Sequence, residues 1–221
     1  MTTPPLTSTK STATKADEFV TAVFKLCEDP GKRAALRSGL GRPLDRCHRM
    51  HQVIAARVPE GNPNTERAYY AVAAMIAALP PQARRPAPDA PEEPTTAESA
   101  PQDDSGPEDG ATRRRTFGQC LAEGVGRGVL RENTAEARLS LLTRQSLDGV
   151  HRHLPAAVRI LADRPTAVDW VQLLVDLCWW DRYRDQITRR WLQSFYRTRS
   201  AAEMRAAQEA DRAENDESVP E

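Results

Sequence analysis

The 221-residue sequence predicts an all-α fold: two small helical bundles joined by a disordered acidic Pro-rich linker. Three observations predict it. Ala, Leu and Arg dominate, and Val and Ile never alternate in strand-like runs. Apolar residues recur at helical spacing in two separate stretches. Between them, residues 81–111 hold seven Pro and no Val, Ile, Leu or aromatic residue, too little apolar surface to offset the entropy of ordering a chain. The expected layout is a disordered N-terminus (1–15), an N-terminal bundle (16–80), the linker (81–111), a C-terminal bundle (112–199) and an acidic tail (200–221), partly helical and then disordered.

Four helices are expected in the first bundle. Phe19, Val20, Val23, Phe24 and Cys27 share a face of a helix over 16–28. Asp29 followed by Pro30 reads as a cap and a first-turn proline, opening a short helix through Arg37 that Gly39 and Gly41 stop. A third helix is expected over 44–58, with Leu44, Cys47, His51 and Ile54 aligned, and a fourth over 65–79, ended by Pro80-Pro81.

The second bundle opens with a short helix over 116–123 and a glycine turn, Gly124-Val-Gly126-Arg-Gly128. Asn133 or Thr134 is expected to cap the helix carrying Leu139 and Leu142. Val150, Leu154, Val158 and Leu161 form the next stripe, with a kink or restart expected at Pro155. The segment 168–180 is apolar on most sides and should be the most buried helix. Tyr183, Ile187, Trp191 and Phe195 repeat every fourth residue in the last helix. Trp170 and Trp191 are expected in the core, and one or two other aromatic side chains are left to anchor a partner.

The net charge is zero, but its distribution is uneven. Residues 1–80 carry +4 and 112–199 carry +7, whereas 81–111 carry −6 and 200–221 carry −5. Charge at a surface acts over roughly 8–10 Å at ordinary salt, so the two foldable regions behave as basic bodies toward a polyanion. Three arginine clusters stand out. Arg113, Arg114 and Arg115 are adjacent at the end of the linker. Arg33, Arg37 and Arg42 lie with Lys32, Arg46 and Arg49 in the expected second and third helices. Arg182, Arg184 and Arg189 lie on the last helix, where Arg182 and Arg189, like Arg190 and Arg197, are seven apart and share a face. Guanidinium groups bind phosphate in a bidentate manner and stack on bases. A single basic run is as often a solvated surface as a binding site; three with few intervening acids suit a phosphate backbone.

Other chemistries lack residues. Cys47, His48 and His51 have no fourth ligand nearby and fit no common zinc spacing, so no metal or other cofactor is expected. The Gly124–Gly128 segment lacks the strand and third glycine of a dinucleotide-binding loop. No nucleophile or paired-carboxylate pattern appears, and Asp169, Asp176, Asp181 and Asp185 are expected to pair with nearby arginines or cap helices. The four cysteines form no CxxC, consistent with reduced thiols. Met1–Lys15 has no apolar core of a signal peptide, and no apolar run would span a membrane; a cytoplasmic protein is expected.

Two stretches resemble the CasB family, the small subunit of the type I-E CRISPR surveillance complex. One is Leu36-Arg37-Ser-Gly-Leu-Gly-Arg42 after Asp29-Pro-Gly. The more specific one runs Val168-Asp169-Trp170, Leu173-Leu174, Trp179-Trp180-Asp181, then Trp191-Leu-Gln-Ser-Phe195-Tyr196, preceded by Glu136-Ala-Arg138-Leu139-Ser-Leu-Leu142. The resemblance implies two helical bundles and a subunit that packs with a second copy of itself and with other CRISPR effector subunits. It implies contact with guide RNA, target strand and displaced DNA strand, and matches Arg37, Arg113–Arg115, Arg182 and Arg184 to basic positions of the family. The long acidic linker and tail depart from shorter members.

The sequence leaves two other readings open. In one, the chain is a purely structural assembly subunit with its basic faces against acidic neighbours. In the other, it is a helix-turn-helix regulator, with Gly39–Gly41 as the turn before a recognition helix over 44–58.

Overall fold

Local capping chemistry sets most helix starts. The Asp29 carboxylate accepts from the Gly31 and Lys32 N–H groups at 2.7 and 3.0 Å, and Pro30 takes the first helical position, where its missing donor costs nothing. Those same bonds hold the Asp29 carboxyl below its ordinary range. Asn62 followed by Pro63 repeats the device, accepting from Asn64 and Thr65 N–H. Thr116, Ser146 and Asp169 cap three further helices.

The structure, a computed structural model, describes residues 6–84, 114–162 and 168–217. The described residues form helices α1 (Leu6–Leu26), α2 (Pro30–Arg37), α3 (His48–Ile54), α4 (Pro63–Ala78) and α5 (Pro81–Arg84). They are followed by α6 (Phe117–Gly126), α7 (Glu132–Thr143), α8 (Leu147–Leu161), α9 (Trp170–Cys178) and α10 (Trp180–Glu217). No strand occurs among them, so the fold is all-α. Most of the expected linker lies outside the described residues, as do residues 1–5 and 218–221.

In the first bundle, α4 is the centre. Nine of its residues are buried, and its many alanines let α1 and α2 approach closely. Phe19 of α1 meets Tyr69 edge-on with ring centroids 4.6 Å apart. In the second bundle α6 lies along α10, α7 packs on α6 and α8, and α9 precedes α10. The bundles are not separate bodies in contact only through a linker: α9 packs on both α1 and α4, and the buried residues of both halves form one cluster.

Several boundaries differ from those expected. Helix α1 begins at Leu6 rather than at residue 16, overriding the weak helix propensity of its Thr and Ser residues. Its half-buried Ala13 shares a cavity wall with Val171 and Val175 of α9, a tertiary placement that sequence periodicity does not reveal. The helix expected over 44–58 is broken into a 3-10 turn at Leu44–Arg46, α3, and a second 3-10 turn at Ala55–Arg57. The Leu44 carbonyl is taken by the Cys47 N–H at 2.9 Å and by the His51 ring at 3.1 Å, leaving it out of a continuous α-ladder.

The glycine turn is confined to its last residue. Gly124 and Gly126 are helical. Gly128, at φ 67°, closes α6 in a Schellman arrangement, with the Val129 N–H on the Gly124 carbonyl and the Gly128 N–H on Val125. Helix α7 starts at Glu132, ahead of the expected caps, because Glu132 is held by Arg199 of α10 at 2.9 and 3.1 Å. Helix α8 runs through Pro155 without restarting. Helix α9 is shorter than expected but well buried, at six of nine residues.

The α6–α10 contact is the tightest seam. Gly118 sits directly over the Trp191 backbone carbonyl, where any Cβ would overlap it. Phe117 and Trp191 pack at 5.3 Å, and the Thr116 and Ser194 hydroxyls bond across the same seam. Gly118→Ala is expected to lower the unfolding free energy by about 3 kcal/mol, as overpacking against rigid backbone does. Urea denaturation of wild type and variant checks it, with Gly126→Ala, where a Cβ meets nothing, as the control.

Candidate nucleic-acid interface

Helix α8 lies across the first bundle and brings arginines of both halves together. At one end, Arg33 and Arg37 of α2 face Arg159 of α8 around a recess floored by Ala77, Leu79 and Ala162. Among the described residues no carboxylate lines this recess and none of the three arginines has an ion pair. Two turns earlier on α8, Arg152 faces Arg42 and Arg67 across a cleft of about 280 Å³. Its one lining carboxylate among the described residues, Asp148, pairs with Arg67 and thereby joins α8 to α4. Arg152 and Arg159 are seven residues apart, so they share a face of α8. Sequence reading missed Arg67, Arg152 and Arg159. The spacing on α8 was visible, but the partners across the seam come from distant sequence.

The start of α10 reaches the same region. The Asn64 amide donates to Asp181 at 3.3 Å, one turn from Arg67, and the Trp180 indole N–H donates to the Gln145 carbonyl at 3.4 Å, just before α8. The first turns of α4, α8 and α10 therefore converge. Arg182 stacks over the Tyr183 ring, 5.5 Å from its centroid, and is exposed. Arg184 lies 3.6 Å from its neighbour Asp185, and Arg189 is exposed without an ion pair among the described residues.

The third cluster is spent differently. Arg114 pairs with Asp17 of α1 at 2.9 Å and with Asp169 at 3.6 Å; Arg115 pairs with Glu123 at 2.8 Å. These two guanidiniums tie α1, α6 and the head of α9 together. Arg113 lies outside the described residues.

The remaining polar groups are structural. The His51 ring is held by the Tyr70 hydroxyl at 2.7 Å, and the Cys47 thiol donates to the Pro43 carbonyl at 3.3 Å. Burial pushes the Cys47 thiol up, and pushes Cys120 and Cys178 up to about 12, so these are inert thiols. Among the described residues no three His, Cys, Asp or Glu side chains gather to hold a metal. Asp176 is fully buried against Arg190, Trp191 and Gln172. At seven residues and interrupted on both sides, α3 is a poor recognition helix. No helix among the described residues is long and apolar enough to cross a membrane.

These features define a class: an all-helical protein whose exposed chemistry is arginine and whose buried polar groups serve the fold. Residues 32–196 match the family model of the CRISPR-associated protein Cse2, and the chain belongs to this family, also called CasB, the small subunit of the type I-E complex. Two solved chains titled as parts of a CRISPR RNA-guided surveillance complex, one of them pre-nicking, superpose with a TM-score of 0.71 each. They share 34% and 35% identity, cover 88% of this chain, and are covered over 99% and 98% of their own length. CasB from M. ruber shares the fold, with a TM-score of 0.60 at 19% identity over 86% of this chain and 97% of its own. No curated protein matches the chain by sequence.

His151, in the wall of the cleft, links the stability of the fold to pH. It is 6% exposed, and neither ring nitrogen has a partner among the described residues. Burial first, and the nearby Arg67 second, push its pKa down to about 4, against the opposing charge of Asp148. The folded ring is therefore neutral where the unfolded ring, at 6.5, takes a proton. Stability from this group is present above pH 6.5 and is lost as pH falls toward 4, by about 3 kcal/mol in all. Urea denaturation across that window is expected to show a slope that His151→Leu removes.

Proposed function

We propose that the chain is the non-catalytic small subunit of a CRISPR ribonucleoprotein effector in antiviral defence. In this reading it binds nucleic-acid backbone, chiefly the displaced DNA strand and also guide RNA and target, and so stabilises the R-loop. Its partners are the other effector subunits and a second copy of itself. One observation carries the proposal: Arg33, Arg37 and Arg159, then Arg42, Arg67 and Arg152, face each other along one seam with Asp148 the sole lining carboxylate among the described residues. Guanidiniums without an ion pair, as these are among the described residues apart from Arg67, are available to phosphates. Arg182 and Arg189 extend the same chemistry onto α10. Exchange of a DNA duplex for a heteroduplex is near balance, so a few backbone contacts that hold the displaced strand suffice to tip it.

The binding expected is sequence-tolerant and salt-dependent. Each phosphate contact contributes about −0.7 to the log–log slope of affinity against salt for single strands. Changing Arg33, Arg37 and Arg159 together to Gln is expected to flatten the slope by about 2. Changing Arg114 and Arg115 to Gln is expected to leave the slope intact and to lower the melting temperature, because those side chains hold helices together. Filter binding of single-stranded DNA over a salt series measures both. A slope unchanged by the seam triple variant would favour the assembly-only reading, which the pairing of Arg114 and Arg115 supports for those two residues. Co-purification of a tagged chain with a large complex containing short guide RNAs tests the assignment to an effector.

A further inference from the structure

Resting on that reading, we propose that the cleft between the bundles is a latched phosphate site: in the free protein Asp148 occupies the Arg67 guanidinium, and a phosphodiester of a single strand displaces it to sit among Arg42, Arg67 and Arg152. The geometry carries this. Asp148 and Arg67 are in direct contact, yet the carboxylate side chain is 77% exposed and the guanidinium-bearing side chain 30%. The carboxylate can thus swing into water while the arginine stays in the wall. Arg42 and Arg152 flank the opening, are exposed, and hold no ion pair among the described residues.

With Asp148 engaged the cleft carries a formal charge of +2 from Arg42, Arg67 and Arg152 against one carboxylate. With Asp148 released toward solvent, three guanidiniums converge on the space it leaves, a better match to a phosphate than to a carboxylate. Arg42 is carried by the loop that bends at Gly41, φ 70°, where no Cβ would meet a neighbour, so the arginine sits on a turn with room to adjust. The latch has a function. It keeps a partly buried arginine paired while no strand is bound, and it makes the first phosphate pay for a broken ion pair, so that a lone anion binds poorly while a strand already held at Arg33, Arg37 and Arg159 binds well.

His151 stands in the cleft wall between Arg67, Tyr70, Asp148 and Arg152, beside Arg42 of the loop. Its neutral ring reports the occupant. Removing Asp148 from the cleft and adding a phosphate changes the charge facing the ring, and its NMR resonances follow.

The test is a double-mutant cycle on the full chain, Asp148→Asn, Arg67→Gln and both, read by fluorescence anisotropy with single-stranded oligothymidylate at about 0.1 M salt. Asp148→Asn is expected to tighten binding about threefold to tenfold, Arg67→Gln to weaken it by a similar factor, and the gain to vanish in the double variant. Oligothymidylate is expected to shift the His151 ring resonances in the wild type, and inorganic phosphate at equal ionic strength to leave them unmoved. Strand binding with a normal salt slope but no response to Asp148→Asn and no His151 shift overturns the latch alone. Saturation of the His151 shift by inorganic phosphate overturns it in favour of a free-anion site. Absence of oligothymidylate binding by the wild type overturns the parent reading as well.

Discussion

The fold turns on one buried carboxylate. Asp176 of α9 accepts from the Trp191 indole N–H at 2.6 Å, from the Gln172 amide at 2.7 Å and from Arg190, and is 1% exposed. Burial pushes its pKa up; the guanidinium and the two N–H donors oppose that and offset the cost of burying the oxygen atoms. The consequence is directional. An apolar contact between α9 and α10 would tolerate sliding, whereas three donors on two oxygens fix the register of α9 against Trp191. Trp191 is in turn the residue whose carbonyl Gly118 covers, so α6, α9 and α10 are locked at one point.

What α9 fixes on one side it transmits to the other. Its opposite faces pack on α1 and α4, so the first bundle is docked through the same helix. Asp169 at its head caps the helix through Gln172, accepts the Arg115 N–H at 3.0 Å and pairs with Arg114, which also binds Asp17 of α1. Two aspartates ten Å of helix apart on α9, about 1.5 Å per residue over seven residues, therefore set the mutual position of both halves. The alignment of α8 with α2 and α4, and hence the arginine seam, follows from that docking.

The helices were largely legible in the sequence because their signals are local: Asp29-Pro30, the 16/19/20/23/27 stripe and the Ile187/Trp191/Phe195 repeat each name their own face. Trp170 and Trp191 are in the core as their spacing implied, and Trp180 joins them, while Tyr196 stays half exposed. The misses were tertiary. Leu44 loses its helical role to a ring seven residues on, and Glu132 starts α7 because of an arginine on another helix. The arginines divide for the same reason. Nothing local separates Arg114 and Arg115, which pair with protein carboxylates, from Arg33 and Arg37, which line a recess with Arg159 and have no ion pair among the described residues. Adjacency in sequence marks a cluster; the neighbours across the fold decide whether its charge is spent.

That division explains how a chain of zero net charge presents a basic seam. The acids that balance the arginines are distributed by distance along the chain: eight lie within 81–111 and seven within 200–221. The described part of that tail continues α10 past the body, with Glu203, Glu209 and Asp211 exposed. Screening limits any charge to roughly 8–10 Å, so an acid on a projecting helix does little to a guanidinium in a recess between α2 and α8. Several acids inside the body are instead placed one by one against particular arginines, as Glu123, Asp169 and Asp176 are. Asp148 likewise pairs with one arginine, Arg67, but it lines the seam itself and is mostly exposed. Its position makes the seam's charge depend on which way one short side chain turns.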